Sequence, residues 1–149
     1  MAQPQRPAGG GFNMANLTMG QKGILIASLV LLISLFLPWQ RVCVLGFCGS
    51  SSGLGGVGFL ALILAIGLIV WELLPAFGAK VNMGTFSPAM LSAIGAWVTA
   101  GITLINFLIY LGDVGFGAFV GLLAALALGY AGYLRFQESK ATAPPPPVA

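Results

Sequence analysis

Four apolar stretches, each separated from the next by a short polar or charged interval, organise this chain. The nine charged residues fall almost entirely between them. Eighteen uncharged residues lie between Lys22 and Arg41, thirty between Arg41 and Glu72, thirty-two between Lys80 and Asp113, and twenty-one between Asp113 and Arg135. A helix needs about 20 mostly apolar residues to cross a bilayer, within a range of about 17–25. Each interval holds one such helix and none holds two. The expected spans are 23–39, 54–74, 88–111 and 115–136. Short connections between them make successive helices antiparallel neighbours, so the predicted fold is an all-α membrane protein, an up-down-up-down four-helix bundle.

Local signals set the boundaries. Thr18 and Gln21 have capping-box spacing at the start of the first helix. Pro38 and Trp39 close that helix, with the indole expected at the headgroup boundary. The first helix reads as a signal anchor, since no Ala-x-Ala site follows it and bulky Phe47 precedes Cys48. Pro75 stops the second helix, and Ser87-Pro88 supplies an N-cap and first-turn proline for the third. Gly112 and Asp113 turn the chain into the fourth. Residues 1–17, rich in Gly, Pro, Gln and Asn, are expected to be disordered. Residues 137–149 form a proline-rich tail.

Composition reinforces this picture: 58% of residues are hydrophobic and 6% charged. A soluble domain of this size has no means of hiding so much apolar surface. The net charge of +3 does not point to nucleic acid, because the cations form no clustered stripe. They sort by topology instead. Arg6, Lys22, Lys80, Arg135 and Lys140 fall on one side of the predicted spans and Arg41 alone on the other, which places both termini in the cytoplasm. Asn16-Leu17-Thr18 then matches a glycosylation acceptor in the wrong compartment.

The chain contains no histidine, which removes the commonest acid–base residue and metal ligand. No metal or cofactor site is expected, and Gly9-Gly10-Gly11 lacks the Lys-Ser/Thr of a phosphate loop. Both cysteines, Cys43 and Cys48, lie in the loop assigned to the outside, where disulfides persist. Leu45-Gly46 suits a two-residue turn, which sets Val44 opposite Phe47 and Cys43 opposite Cys48. This pair reads as a structural staple. Quinone-linked four-helix enzymes that make disulfides also carry an external cysteine pair after their first helix. Theirs is Cys-x-x-Cys with a second pair in the other external loop, and both features are missing from this sequence.

Two helices carry further patterns. In the third, Ser92, Ala96, Thr99, Thr103, Asn106 and Tyr110 recur at heptad spacing, giving one small or polar face. Lipid leaves such a face unsatisfied, so it is expected to point inward, either bonding neighbouring helices or lining a polar route. In the fourth, Gly117, Gly121, Ala125 and Gly129 recur every four residues as a small-residue packing seam. That seam packs within the bundle or between protomers, and contact with another copy or another protein is the preferred expectation.

Around the first helix the sequence reads Ile33-Ser34-Leu35-Phe36-Leu37-Pro38-Trp39, followed by a Ser/Gly loop and a Gly/Leu-rich second helix. Residues 23–75 resemble small four-helix membrane proteins of actinobacteria that carry Leu-Pro-Trp at the outer end of helix one. The resemblance implies a bacterial plasma membrane and says little about activity. The expected function is a non-enzymatic membrane interaction or accessory protein, in contact with the lipid bilayer and able to form a homo-oligomer or join a larger complex. A small transporter or pore component using the third-helix stripe is the alternative, and a thiol–disulfide oxidoreductase the third reading.

Overall fold

The computed structural model describes residues 17–77 and 86–141. The arm expected to be disordered over 1–16, the connection containing Lys80 and the proline-rich tail over 142–149 lie outside them. The described residues form α1 (Met19–Phe36), a hairpin of β1 (Pro38–Val44) and β2 (Phe47–Ser52), α2 (Val57–Leu73), a 3-10 turn (Leu74–Phe77), α3 (Pro88–Ile109) and α4 (Phe116–Ala141). The fold is therefore not purely helical, as the sequence reading expected; the loop after the first helix is an antiparallel two-stranded sheet. Three of the helices, α1, α3 and α4, are long and apolar enough to cross a membrane, while α2 has 17 residues.

The helices close into a ring in which each packs on the next and α4 returns to α1. Side chains fix the directions. The start of α1 meets the end of α4 through Thr18 and Glu138, and the end of α2 meets the start of α3 through Trp71 and Ser92. At the opposite end, Asn106 near the close of α3 reaches Gly53 ahead of α2. Successive helices therefore run in opposite directions.

The radial distribution of residue sizes is inverted relative to a soluble bundle. Ten of the seventeen buried apolar residues are alanine, while Ile, Leu, Val and Phe crowd the outward faces. Small interior residues let helix backbones approach where lipid provides no hydrophobic drive, and large outward ones suit a hydrocarbon solvent. Seven larger side chains punctuate this interior: Leu17, Ile24, Leu31, Leu35, Trp39, Leu68 and Leu128.

Several boundaries differ from the sequence expectation for identifiable reasons. The capping box forms as expected: the Gln21 N–H donates to Thr18 Oγ1 at 3.3 Å and the Thr18 N–H to Gln21 Oε1 at 3.0 Å. Helix α1 thus begins at Met19, directly after the Thr18 cap and one turn ahead of the apolar span at 23, and Leu17 is buried rather than part of a disordered arm. The helix ends at Phe36 instead of Trp39, because proline disfavours the helical conformation in the residue before it. Leu37 is accordingly extended, with φ −74° and ψ 161°. Helix α2 starts at Val57, after Gly53 has bonded back to α1, and α4 continues through Ala141, taking in the first residues assigned to the tail.

The hairpin adopts the register read from the sequence. Val44 faces Phe47 and Cys43 faces Cys48, joined by a disulfide. Leu45 and Gly46 both take positive φ, +52° and +85°, as the tight turn that matches strand twist demands. The register slips between Pro38 and Gln40, so Trp39 stands at a bulge, a device that re-aims a side chain. Here it turns the indole into the bundle.

Candidate functional site

Polar chemistry concentrates at the two ends of the bundle, with the α3 stripe running between them. At the hairpin end, the four-residue helical ladder would have Ser34 C=O accept from residue 38, but Pro38 has no N–H. The Trp39 indole N–H takes its place, donating to Ser34 O at 2.7 Å, and the Leu37 N–H donates to the same oxygen at 3.1 Å. The next carbonyl, Leu35 O, accepts from the Gly53 N–H at 2.9 Å. Orphan carbonyls at the end of α1 are thus satisfied by its own fold-back and by the approach to α2.

Trp39 is fully buried rather than a headgroup anchor. Its indole lies between two glycines. A Cβ added at Gly53 would stand 2.7 Å from Trp39 Cδ1, and one added at Gly121 would stand 2.9 Å from Cη2 with Cζ2 nearer still. Gly117 meets Leu37, where a Cβ would lie 2.7 Å from the leucine Cβ. The small-residue seam of α4 is therefore occupied at Gly117 and Gly121 by residues 37–39 of the same chain, in place of the second copy or other protein expected from the sequence. Ala125 is also buried, and Gly129 is half-buried with its carbonyl accepting from Trp97 Nε1 at 3.1 Å.

The connection from α3 to α4 braces the hairpin. Arg41 N–H donates to Asp113 O at 3.1 Å, Gly115 N–H donates to Trp39 O at 2.6 Å, and Gln40 bridges to Val114. A two-stranded hairpin is marginal alone. This one is anchored on a third segment and closed by a disulfide. Its outer part is apolar: Leu45 is 95% exposed and Phe47 85%, with Val44 exposed beside them.

The α3 stripe is brought together as expected. Ser92, Ala96, Thr99, Thr103 and Asn106 are all buried, and Tyr110 is half-buried near Gly55. Its hydroxyls mostly bond their own helix, however. Thr99 donates to Gly95 O at 2.7 Å, Thr103 to Thr99 O at 2.8 Å, and Ser92 to Pro88 O at 3.0 Å. Only the stripe's ends reach another segment: Ser92 Oγ accepts from Trp71 Nε1 at 3.0 Å, and Asn106 Nδ2 donates to Gly53 O at 3.3 Å. Threonine hydroxyls that bond back one turn are self-sufficient in hydrocarbon.

The opposite end holds a cluster that sequence reasoning missed. Arg135 Nη2 lies 3.4 Å from Glu72 Oε2, and both side chains are buried. Arg135 Nη1 donates at 3.1 Å to Glu138 Oε2, which also accepts from the Thr18 hydroxyl at 2.9 Å. Glu138 Oε1 accepts from the Gly20 N–H at 3.0 Å. A carboxylate thus sits on the N-terminus of α1, where free N–H groups and the helix dipole favour negative charge. Gly20 leaves room for the arginine stem, since a Cβ there would lie 2.9 Å from Arg135 Cγ and Cδ. The i,i+3 spacing of Arg135 and Glu138 was the available signal. Among the described residues no group of His, Cys, Asp and Glu has the arrangement to hold a metal ion. Comparison with protein-family models, with curated proteins and with solved structures gives no match for this chain.

Proposed function

We propose that the chain is a four-pass membrane protein with both termini in the cytoplasm, acting as a non-enzymatic interaction or accessory subunit through its external hairpin. Helix α2, at 17 residues followed by a 3-10 turn, is at the short end of the spanning range. The five-to-one division of Lys and Arg supports the orientation, and the disulfide supports placing the hairpin in an oxidising compartment. The resemblance of residues 23–75 to small actinobacterial membrane proteins favours a bacterial plasma membrane. Labelling checks the orientation. In a background lacking Cys43 and Cys48, a cysteine at Ser51 should react with an impermeant thiol reagent on intact cells, and cysteines at Met83 or Ala141 should not. Reaction at position 83 from outside would overturn this topology.

The observation that carries the interaction reading is the hairpin tip. Val44, Leu45 and Phe47 are exposed on a scaffold held by a disulfide and by the α3–α4 connection. A rigid apolar projection is what a partner's apolar groove recognises, because little ordering entropy is lost on docking. The partner is another protein of the same membrane or a second copy, and mass spectrometry of the material that co-purifies distinguishes them. Leu45→Ser with Phe47→Ser should abolish co-purification and leave thermal stability unchanged, as both side chains are exposed. Retention of the partner by that variant would refute the docking role. A disulfide that exchanges with added thiols in step with a bound quinone would favour the oxidoreductase reading instead.

A further inference from the structure

The outer surface carries a groove of about 600 Å³ between α1 and α4, floored by Gly23, Ala27, Ala124 and Ala131. Its lining is apolar apart from its mouth, where Lys22 stands. On α4 it runs from Leu123 to Leu134, twelve residues whose eleven rises of 1.5 Å span about 16 Å. A bilayer's hydrocarbon core is about 30 Å thick, so the groove has the depth of one leaflet. It begins at the charged end of the bundle and stops near the middle of the helices.

Lys22 has no ion-pair partner among the described residues. The Glu138 carboxylate at the same end of the bundle is engaged by Arg135, the Thr18 hydroxyl and the Gly20 N–H. Glu72 faces Arg135. A cation therefore stands at headgroup depth at the mouth of an apolar furrow of leaflet length. We infer that this groove binds a single anionic phospholipid, one acyl chain lying along α1 and α4 and the phosphate at Lys22. The inference rests on the membrane-spanning reading alone, independent of any partner at the hairpin.

The experiment uses the full chain in nanodiscs of phosphatidylglycerol and phosphatidylcholine with identical chains, followed by native mass spectrometry of retained lipid. One lysine near the membrane surface contributes about 1 kcal/mol toward an anionic lipid, so wild type should retain phosphatidylglycerol about fivefold over phosphatidylcholine. Lys22→Gln should bring that ratio to about one. Ala127→Phe, which fills the groove from an exposed position, should reduce retention of both lipids without changing the melting temperature. Absence of headgroup preference in wild type, or its persistence in Lys22→Gln, would overturn the proposal as ordinary annular lipid. Appearance of a protein dimer that Ala127→Phe dissociates would overturn it in favour of a second copy. A wild-type chain that failed to enter the nanodisc would overturn the membrane reading itself.

Discussion

Arg135→Met should lower the stability of the bundle by about 3–5 kcal/mol, the largest loss expected from any single replacement of a charged residue here. The substitution leaves Glu72, 1% exposed, without its counter-ion, and a buried carboxyl group that has lost its partner is costly to keep. Glu72→Leu should cost a comparable amount, because it strands the guanidinium. The double variant is the informative one. Removing both charges removes the desolvation cost as well as the attraction, so Glu72→Leu with Arg135→Met should recover most of the loss. Glu138→Gln should matter less, about 1 kcal/mol or below, since that carboxylate is partly exposed and its pair with Arg135 is largely screened. Thermal melting in one detergent, with the four variants and wild type side by side, provides the comparison. A cost under 1 kcal/mol for each single variant would mean that water reaches the pair. Additive losses in the double variant would mean that the two residues act separately.

The second large effect belongs to Gly121. Its replacement by leucine should destabilise the protomer itself, by about 3 kcal/mol or more, with no selective loss of association. Overpacking a filled interior costs about 1–3 kcal/mol when neighbours are able to shift. Here the neighbour is an indole confined by Gly53 on its far side and by its hydrogen bond to Ser34 O. If leucine expels the ring, the Ser34 carbonyl loses a donor and a tryptophan-sized space opens, and emptying such a space costs about 3–5 kcal/mol. Even Gly121→Ala should be harmful, since its Cβ alone enters the ring's space. Trp39→Ala should make Gly121→Leu less damaging than it is alone, a coupling that two contacting residues show and distant ones do not. Crosslinking yield per folded molecule should stay constant throughout. Intact stability with lost crosslinking would return the seam to an interface between copies.

How much of this was legible in the chain depended on how far apart the interacting residues lie. The hairpin register follows from six consecutive residues, with a Leu-Gly turn between matched flanks, so it was readable down to the cysteine pairing. The α1 capping box is equally local. The inward direction of the α3 stripe followed from chemistry alone, because lipid cannot satisfy Asn106. What escaped were contacts between residues distant in sequence. Glu72 and Arg135 each read as ordinary boundary charges, and only their meeting across the bundle makes them a buried pair. Trp39 followed the rule for tryptophan near a helix end, which fails here because Pro38 removes an N–H and the indole replaces it. The α4 glycines announced a close approach without naming what approaches.

One consequence concerns the order in which the chain is made. Helix α1 is the first of the four to leave the ribosome, yet both of its ends are fastened by the last. Glu138 caps its N-terminus from 118–120 residues away, and Gly115, Gly117 and Gly121 form the recess that receives the chain following its C-terminus. Domains of soluble proteins usually settle from the N-terminus as synthesis proceeds. This bundle cannot complete its opening helix that way. Until α4 arrives, Trp39 has no recess to occupy and the arginine stem beside Gly20 is missing, so a nascent chain of three helices carries an unfinished first one. The fourth helix therefore serves as a latch. Its arrival converts a set of helices into a closed protein, and a chain stopped short of it leaves a recognisable defect at each end of the bundle.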